Sequence, residues 1–126
     1  MTTNVERFEL EISRFEREEI PRRHSELVQK IALEALEGVV SRTPVDTGFA
    51  RNNWDTTLHN PPAETTVSAS PIAQGEAVIR SAPPFTDIWI SNGARYIRRL
   101  EDGHSGQAPE GMVAVTVAQL RSRYGE

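Results

Sequence analysis

The chain contains no cysteine. That absence removes disulfide staples, thiolate nucleophiles and cysteine-based zinc sites together, and it fits a reducing compartment. No apolar block of signal-peptide length stands near the start, and no stretch approaches the roughly 20 apolar residues of a membrane span. The expectation is a soluble protein made in the cytosol, with no membrane partner. Internal repeats and low-complexity tracts are missing as well. Apolar residues are few: they make up 37% of the 126 residues, with a mean hydropathy of -0.48, low for a compact enzyme. Charged residues of mixed sign make up 25%, which argues against wholesale disorder. Basic charge is in deficit, 14 Lys and Arg against 18 Asp and Glu, and a net charge of -4 demotes the phosphate backbone as a main partner. A chain of this size holds one small core.

What is present begins with helical periodicity over residues 4–43. Val5, Phe8, Ile12 and Phe15 form one stripe, and Leu27, Ile31, Ala35 and Val39 continue further on. Pro21 cannot donate to the residue four before it, so this stretch reads as two helices or one kinked helix, broken near Ile20. Glu18 with Arg22, Glu19 with Arg23 and Glu26 with Lys30 have the favoured acid-first spacing of four. The first half is rich in charge and thin in apolar residues, which suits either packing on a neighbouring subunit or an exposed helix. The chain accordingly divides into an N-terminal helical extension, residues 1–20, and a single domain, residues 21–126.

Pro44 ends the second helix, and Val45 to Gly48 form a turn. Residues 51–58 alternate as a strand anchored by Trp54, and Asn60, Pro61 and Pro62 stop it. Ser70 and Pro71 start a helix with Ile72, Ala73, Ala77 and Val78 on its apolar face, ended by Pro83 and Pro84. Residues 85–91 alternate again, with Ile88 and Ile90 on one face and Trp89 on the other. Asn92 and Gly93 then make a turn, but the run after them has a period near four, so it reads as a short helix from Ala94 or Arg95 to Asp102 with Gly103 as its C-terminal cap. Residues 111–120 read as a helix starting near Pro109, with Val113, Val117, Leu120 and Tyr124 on one stripe, in preference to a strand.

Residues 90–112 pack more backbone-constraining residues between apolar anchors than any other stretch, which marks them for contact with something outside the chain. Chemistry is harder to find there. His24, His59 and His104 fall on separate elements with no close histidine partner. Glu101, Asp102 and His104 lie close together, but with no second constellation they read as cap and loop before acid-base pair or metal site. Gly103, Gly106 and Gly111 lack the strand and lysine of a phosphate-binding loop. Arg95, Arg98 and Arg99 form the one local basic cluster, read as a solvated helix face before a nucleic-acid patch because acidic residues stand beside it.

Two separated segments, in order, carry a family likeness. Thr43-Pro44-Val45-Asp46-Thr47-Gly48, then downstream Ser91-Asn92, Tyr96, Leu100-Glu101, Gly103-His104-Ser105, Gln107-Ala108-Pro109 and Gly111-Met112, together resemble the minor tail component family of tailed bacteriophages. These are neck or tail-completion proteins of the protein Z type, and the likeness covers residues 27–120. It implies an α+β fold, with long helices packed on a small antiparallel sheet. It also implies a non-catalytic virion protein without cofactors, assembling as a ring, six copies being the expected number, in the neck or at the head-proximal end of the tail. The partners implied are its own copies, the head connector, the tail terminator and the tail tube, with DNA only as passing cargo and the host cytoplasm as the place of assembly. Pro44, Asp46, Thr47 and Gly48 match the first motif. Glu101, Gly103, His104, Gln107, Pro109 and Gly111 match the second, with Asn92, Tyr96, Leu100 and Met112 as further interface candidates. A charge reversal at Glu101 is accordingly expected to damage assembly more than folding. Where relatives place a proline before the tyrosine, this chain has Ala94-Arg95, and Arg98 and Arg99 add charge unusual for the motif.

Overall fold

Pro21 alters the first helix without ending it. The computed structural model describes residues 4–45 and 48–125. Asp46 and Thr47 of the first motif therefore lie outside the described residues, as do the side chains of Val5 and Phe8. Helix α1, Asn4–Arg14, runs into a π-helical turn at Phe15–Glu19 and on into α2, Ile20–Arg42, with Pro21 in the first turn of α2. The Ile20 amide donates to the Phe15 carbonyl, five residues back. Proline lacks an amide and crowds the carbonyl four residues before it, and a wider turn is a known way to absorb that conflict while the backbone stays helical. Of the two readings offered by the sequence, two separate helices is the one corrected.

The same turn rearranges the ion pairs. Arg22 bonds to Glu19 at 2.6 Å and Glu26 at 3.0 Å, and Arg23 lies 3.5 Å from Glu19. Only the Glu19–Arg23 pair of the three expected is formed. Glu18 sits within the widened turn, which rotates it away from the position an α-helix would give it, and Lys30 lies over the Tyr124 ring at 5.9 Å.

Helix α2 is the hub of an α+β fold, with α3, Pro71–Arg80, and α5, Val113–Tyr124, packed on it. Among the described residues no helix is long and apolar enough to cross a membrane. Strands β1, Trp54–Leu58, and β2, Ile88–Asn92, pair antiparallel, with Trp54 opposite Asn92 and Leu58 opposite Ile88. The strands are shorter than the alternation suggests. Residues Arg51–Asn53 form a 3₁₀ turn before β1, and Phe85, with φ of 61°, stands outside β2. Ala32, Leu36, Val39, Val40, Trp54, Ile79, Ala108 and Met112 form the core, and Ile88 and Ile90 pack against it from the inner face of β2 while Trp89 is exposed. Gly75 marks the closest approach: a Cβ there would overlap Leu36 Cδ2 and stand 2.6 Å from Thr56 Oγ1, so α3 seats on α2 and β1 only because that position has no side chain.

The end of α2 is stopped by chemistry local to it. Thr43 is extended (φ -74°, ψ 131°), as a residue before proline should be. Its buried hydroxyl donates to the Val39 carbonyl and accepts from the Trp54 indole at 2.7 Å. Arg51 donates to the carbonyls of Val40 and Ser41 at 3.1 and 3.0 Å, joining the Thr43 amide on the first and serving the last turn of the helix on the second. Arg42 reaches across to α5, donating to Thr116 Oγ1 at 2.9 Å and Gln119 Oε1 at 2.7 Å.

Candidate functional site

The second motif is organised by a short helix and the loop that returns onto it. Helix α4 spans Ile97–Glu101, later in its start than the periodicity suggests, because Ala94 is held in a turn by the Asn92 side chain. Its far end carries paired bonds from Gly103 to Leu100 and from His104 to Arg99, the geometry of a Schellman cap, with Gly103 at φ +88°. The expected cap is in place. It does more than end the helix, because a Cβ on Gly103 would overlap the Pro109 carbonyl oxygen. Gly111, at φ +86°, lies just as tightly against the Glu101 backbone, where an added Cβ would stand 2.5 Å from the carbonyl oxygen. The two glycines let the loop fold back on the helix that precedes it.

Glu101 locks that return. One carboxylate oxygen accepts the amides of Met112 and Val113, both at 2.8 Å, and the other accepts Ala114 at 2.9 Å. These are open amides of the first turn of α5, where a carboxylate also complements the helix dipole. Burial pushes the Glu101 carboxyl up, but the three amide donors outweigh it and hold its pKa below the ordinary 4.5. Helix α5 therefore starts at Val113 and not near Pro109, since residues 105–111 are spent in turns closed by Ala108 on Ser105 and Gly111 on Ala108. The expectation for Glu101 changes with this geometry. Its charge serves the fold directly, so a reversal should damage folding.

The two motif segments meet. The Val45 amide donates to Gln107 Oε1 at 3.1 Å, joining residues 62 apart in the chain. Around that bond lies an open groove of about 470 Å³, walled by Pro44, Val45, Gln107, Pro109 and Gly111, with Arg51 at its edge. Gly48 stands close after Val45 in the chain, at φ +72°. A second hollow of about 240 Å³ lies between the sheet and the α4–α5 junction, lined by Trp54, Asn92, Ile97, Arg98, Glu101, Met112 and Val113. Beside it Tyr96 is 37% exposed, its ring 6.3 Å from that of Phe49. Leu100 packs on the core, and Met112 is wholly buried. His104 is exposed and stands apart from both hollows. Among the described residues no group of three or more His, Asp and Glu is arranged to hold a metal ion.

Sequence reasoning missed Arg42 and Arg51, whose long side chains cap or bridge helices, and Asn53. Asn53 is buried, and its side-chain oxygen accepts the Gly93 amide at 3.1 Å and the Thr65 hydroxyl. An asparagine in an alternating strand pattern was the one available sign that a polar group there needs partners. Comparison of the chain with protein-family models, with curated proteins and with solved structures found no match.

Proposed function

We propose that the chain is a structural subunit of a long-tailed bacteriophage, assembling as a ring at the head–tail junction, where it supports tail assembly and lets DNA pass. The observation that carries this reading is the convergence of its two motifs. Segments that resemble the neck and tail-completion family close on one open groove, walled by Pro44 and Val45 on one side and Gln107, Pro109 and Gly111 on the other. The groove mixes proline and aliphatic groups with the polar side chains of Arg42, Arg51, Gln107 and Glu110, a surface that suits contact with another protein better than bond-making chemistry. Six copies are proposed from the same likeness, with the head connector, tail terminator and tail tube as neighbours and the virion neck or head-proximal tail end as location. An acidic ring would also let DNA through without holding it, because it repels phosphate.

The test is assembly. Sizing chromatography with light scattering and negative-stain imaging should reveal a closed oligomer, free or on purified tails. A strict monomer at high concentration that binds neither tail tubes nor head connectors would overturn the proposal. A nucleic-acid-binding module is the second reading, favoured by Arg95, Arg98 and Arg99, which are exposed and form no ion pair among the described residues. It requires DNA binding that weakens with salt and with alanine at those arginines.

A further inference from the structure

Within the ring reading, on which this inference rests, the contact between neighbouring copies can be assigned. Residues 4–19 carry six glutamates against three arginines. Glu9, Glu11, Glu16 and Glu18 are exposed and form no ion pair among the described residues. They stand three or four positions from Ile12 or Phe15, which are 43% and 41% exposed, so acids border a small apolar face, with the Arg23 guanidinium over the Phe15 ring at 5.2 Å. The substantial contacts of α1 among the described residues run to the π turn after it and not to the body.

On the body, the hollow beside α4 has the opposite character. Ile97, Met112 and Val113 supply an apolar floor, Val113 being 42% exposed, and Arg98 stands at its edge with Arg95 and Arg99 on the same short segment; Glu101 also lines the hollow, but both of its carboxylate oxygens are engaged by the amides of Met112, Val113 and Ala114. All three guanidinium groups lack an acidic partner in their own chain among the described residues. A larger apolar hollow of about 560 Å³ lies between α2 and β2, but the ionisable groups lining it are His24 and Asp87, and an acidic helix meets no arginine there.

We propose that α1 of one copy docks its acidic, apolar-centred face on the hollow between α4 and α5 of the next, with Glu9, Glu11, Glu16 and Glu18 facing Arg95, Arg98 and Arg99 of that neighbour. The occupant is a second copy of this chain. Such a contact joins two different surfaces, and a repeated head-to-tail contact closes into a ring when the rotation allows. Charge complementarity at the rim sets the partner and the register, while the apolar centre excludes water.

A charge swap tests this on full-length chains. One variant carries Glu9→Arg, Glu11→Arg, Glu16→Arg and Glu18→Arg, and the other carries Arg95→Glu, Arg98→Glu and Arg99→Glu. Sedimentation of each alone should reveal association weaker by at least about tenfold than wild type, the loss of two or three rim ion pairs at ordinary exposed strength. An equimolar mixture should restore assembly, because every helix again meets a surface of opposite charge. Melting curves check that both variants fold. Wild-type-like assembly by either variant alone would overturn the contact while leaving the ring reading intact. Failure of two folded variants to assemble when mixed would overturn it too, and so would a wild-type chain that binds a short DNA duplex through the three arginines and does not self-associate.

Discussion

Glutamates in two regions of this molecule, the α4–α5 junction and the arm formed by α1 and the π turn, end in opposite states. At the junction one glutamate, Glu101, uses both oxygens on three amides of its own chain. Along the arm four glutamates have no ion-pair partner among the described residues. The difference is one of reach. Glu101 stands at the end of a helix that the Gly103 and Gly111 turns bring back onto the first turn of α5, whereas the arm projects its acids where only its own helix lies near. A carboxylate enclosed by its own backbone becomes part of the fold, and one left on an arm is available to another molecule.

The junction should be the more costly place to disturb. Gly103→Ala is expected to lower stability by about 3 kcal/mol, since it adds backbone strain at a positive φ to a contact with the Pro109 carbonyl that must open. Denaturant unfolding measures this, and a loss under about 1 kcal/mol would mean the loop moves aside freely. Glu101→Ala comes next, at about 2 kcal/mol, from a lost charged cap with three donors. A circular-dichroism melt should reveal it, and an unchanged melt with lost assembly would return Glu101 to an interface role.

Acid should erode the same cap. The folded pKa of Glu101 lies below the ordinary 4.5, so its contribution is fully present above that value and is lost as pH falls through the folded pKa. Wild type and Glu101→Gln should therefore differ in melting temperature near neutral pH and converge as pH falls from 4.5 through the folded pKa of Glu101. A gap that widens on acidification would contradict the three-amide arrangement. The smallest effect on folding is expected in the arm. Ile12→Ala should change stability by less than about 1 kcal/mol, because the residue is 43% exposed, while weakening self-association measured by light scattering.

Much of this fold is legible in local pattern. Helical period, Ser70-Pro71 at one start, Pro44 at one stop and Gly103 at a cap predict α2, α3 and α4 within a few residues, and the inner and outer faces of β2 follow from alternation. What escaped is of two kinds. The π turn changes hydrogen-bond spacing without changing which residue types look helical, so periodicity sees Pro21 only as a break. The other kind is long-range pairing. Nothing near Val45 announces Gln107, nothing near Asn53 announces Gly93, and the acid that caps α5 lies twelve residues before Val113, far outside the three-residue spacing by which a capping glutamate is recognised. The candidate site is made of these pairings, so its members could be named from sequence while their partners could not.

The turn at Phe15–Glu19 has a further consequence in angular terms. Successive residues of an α-helix are about 100° apart around its axis, and a π turn accommodates an extra residue in one turn, so everything before it is offset in phase from everything after it. Because the extra residue is absorbed within the turn, deleting one residue there should let the backbone close to ordinary α-helical spacing while the arm, one residue shorter, keeps nearly its present direction. The turn thus lets the side-chain pattern of the arm run one residue out of step with that of α2 while both belong to one continuous helical segment.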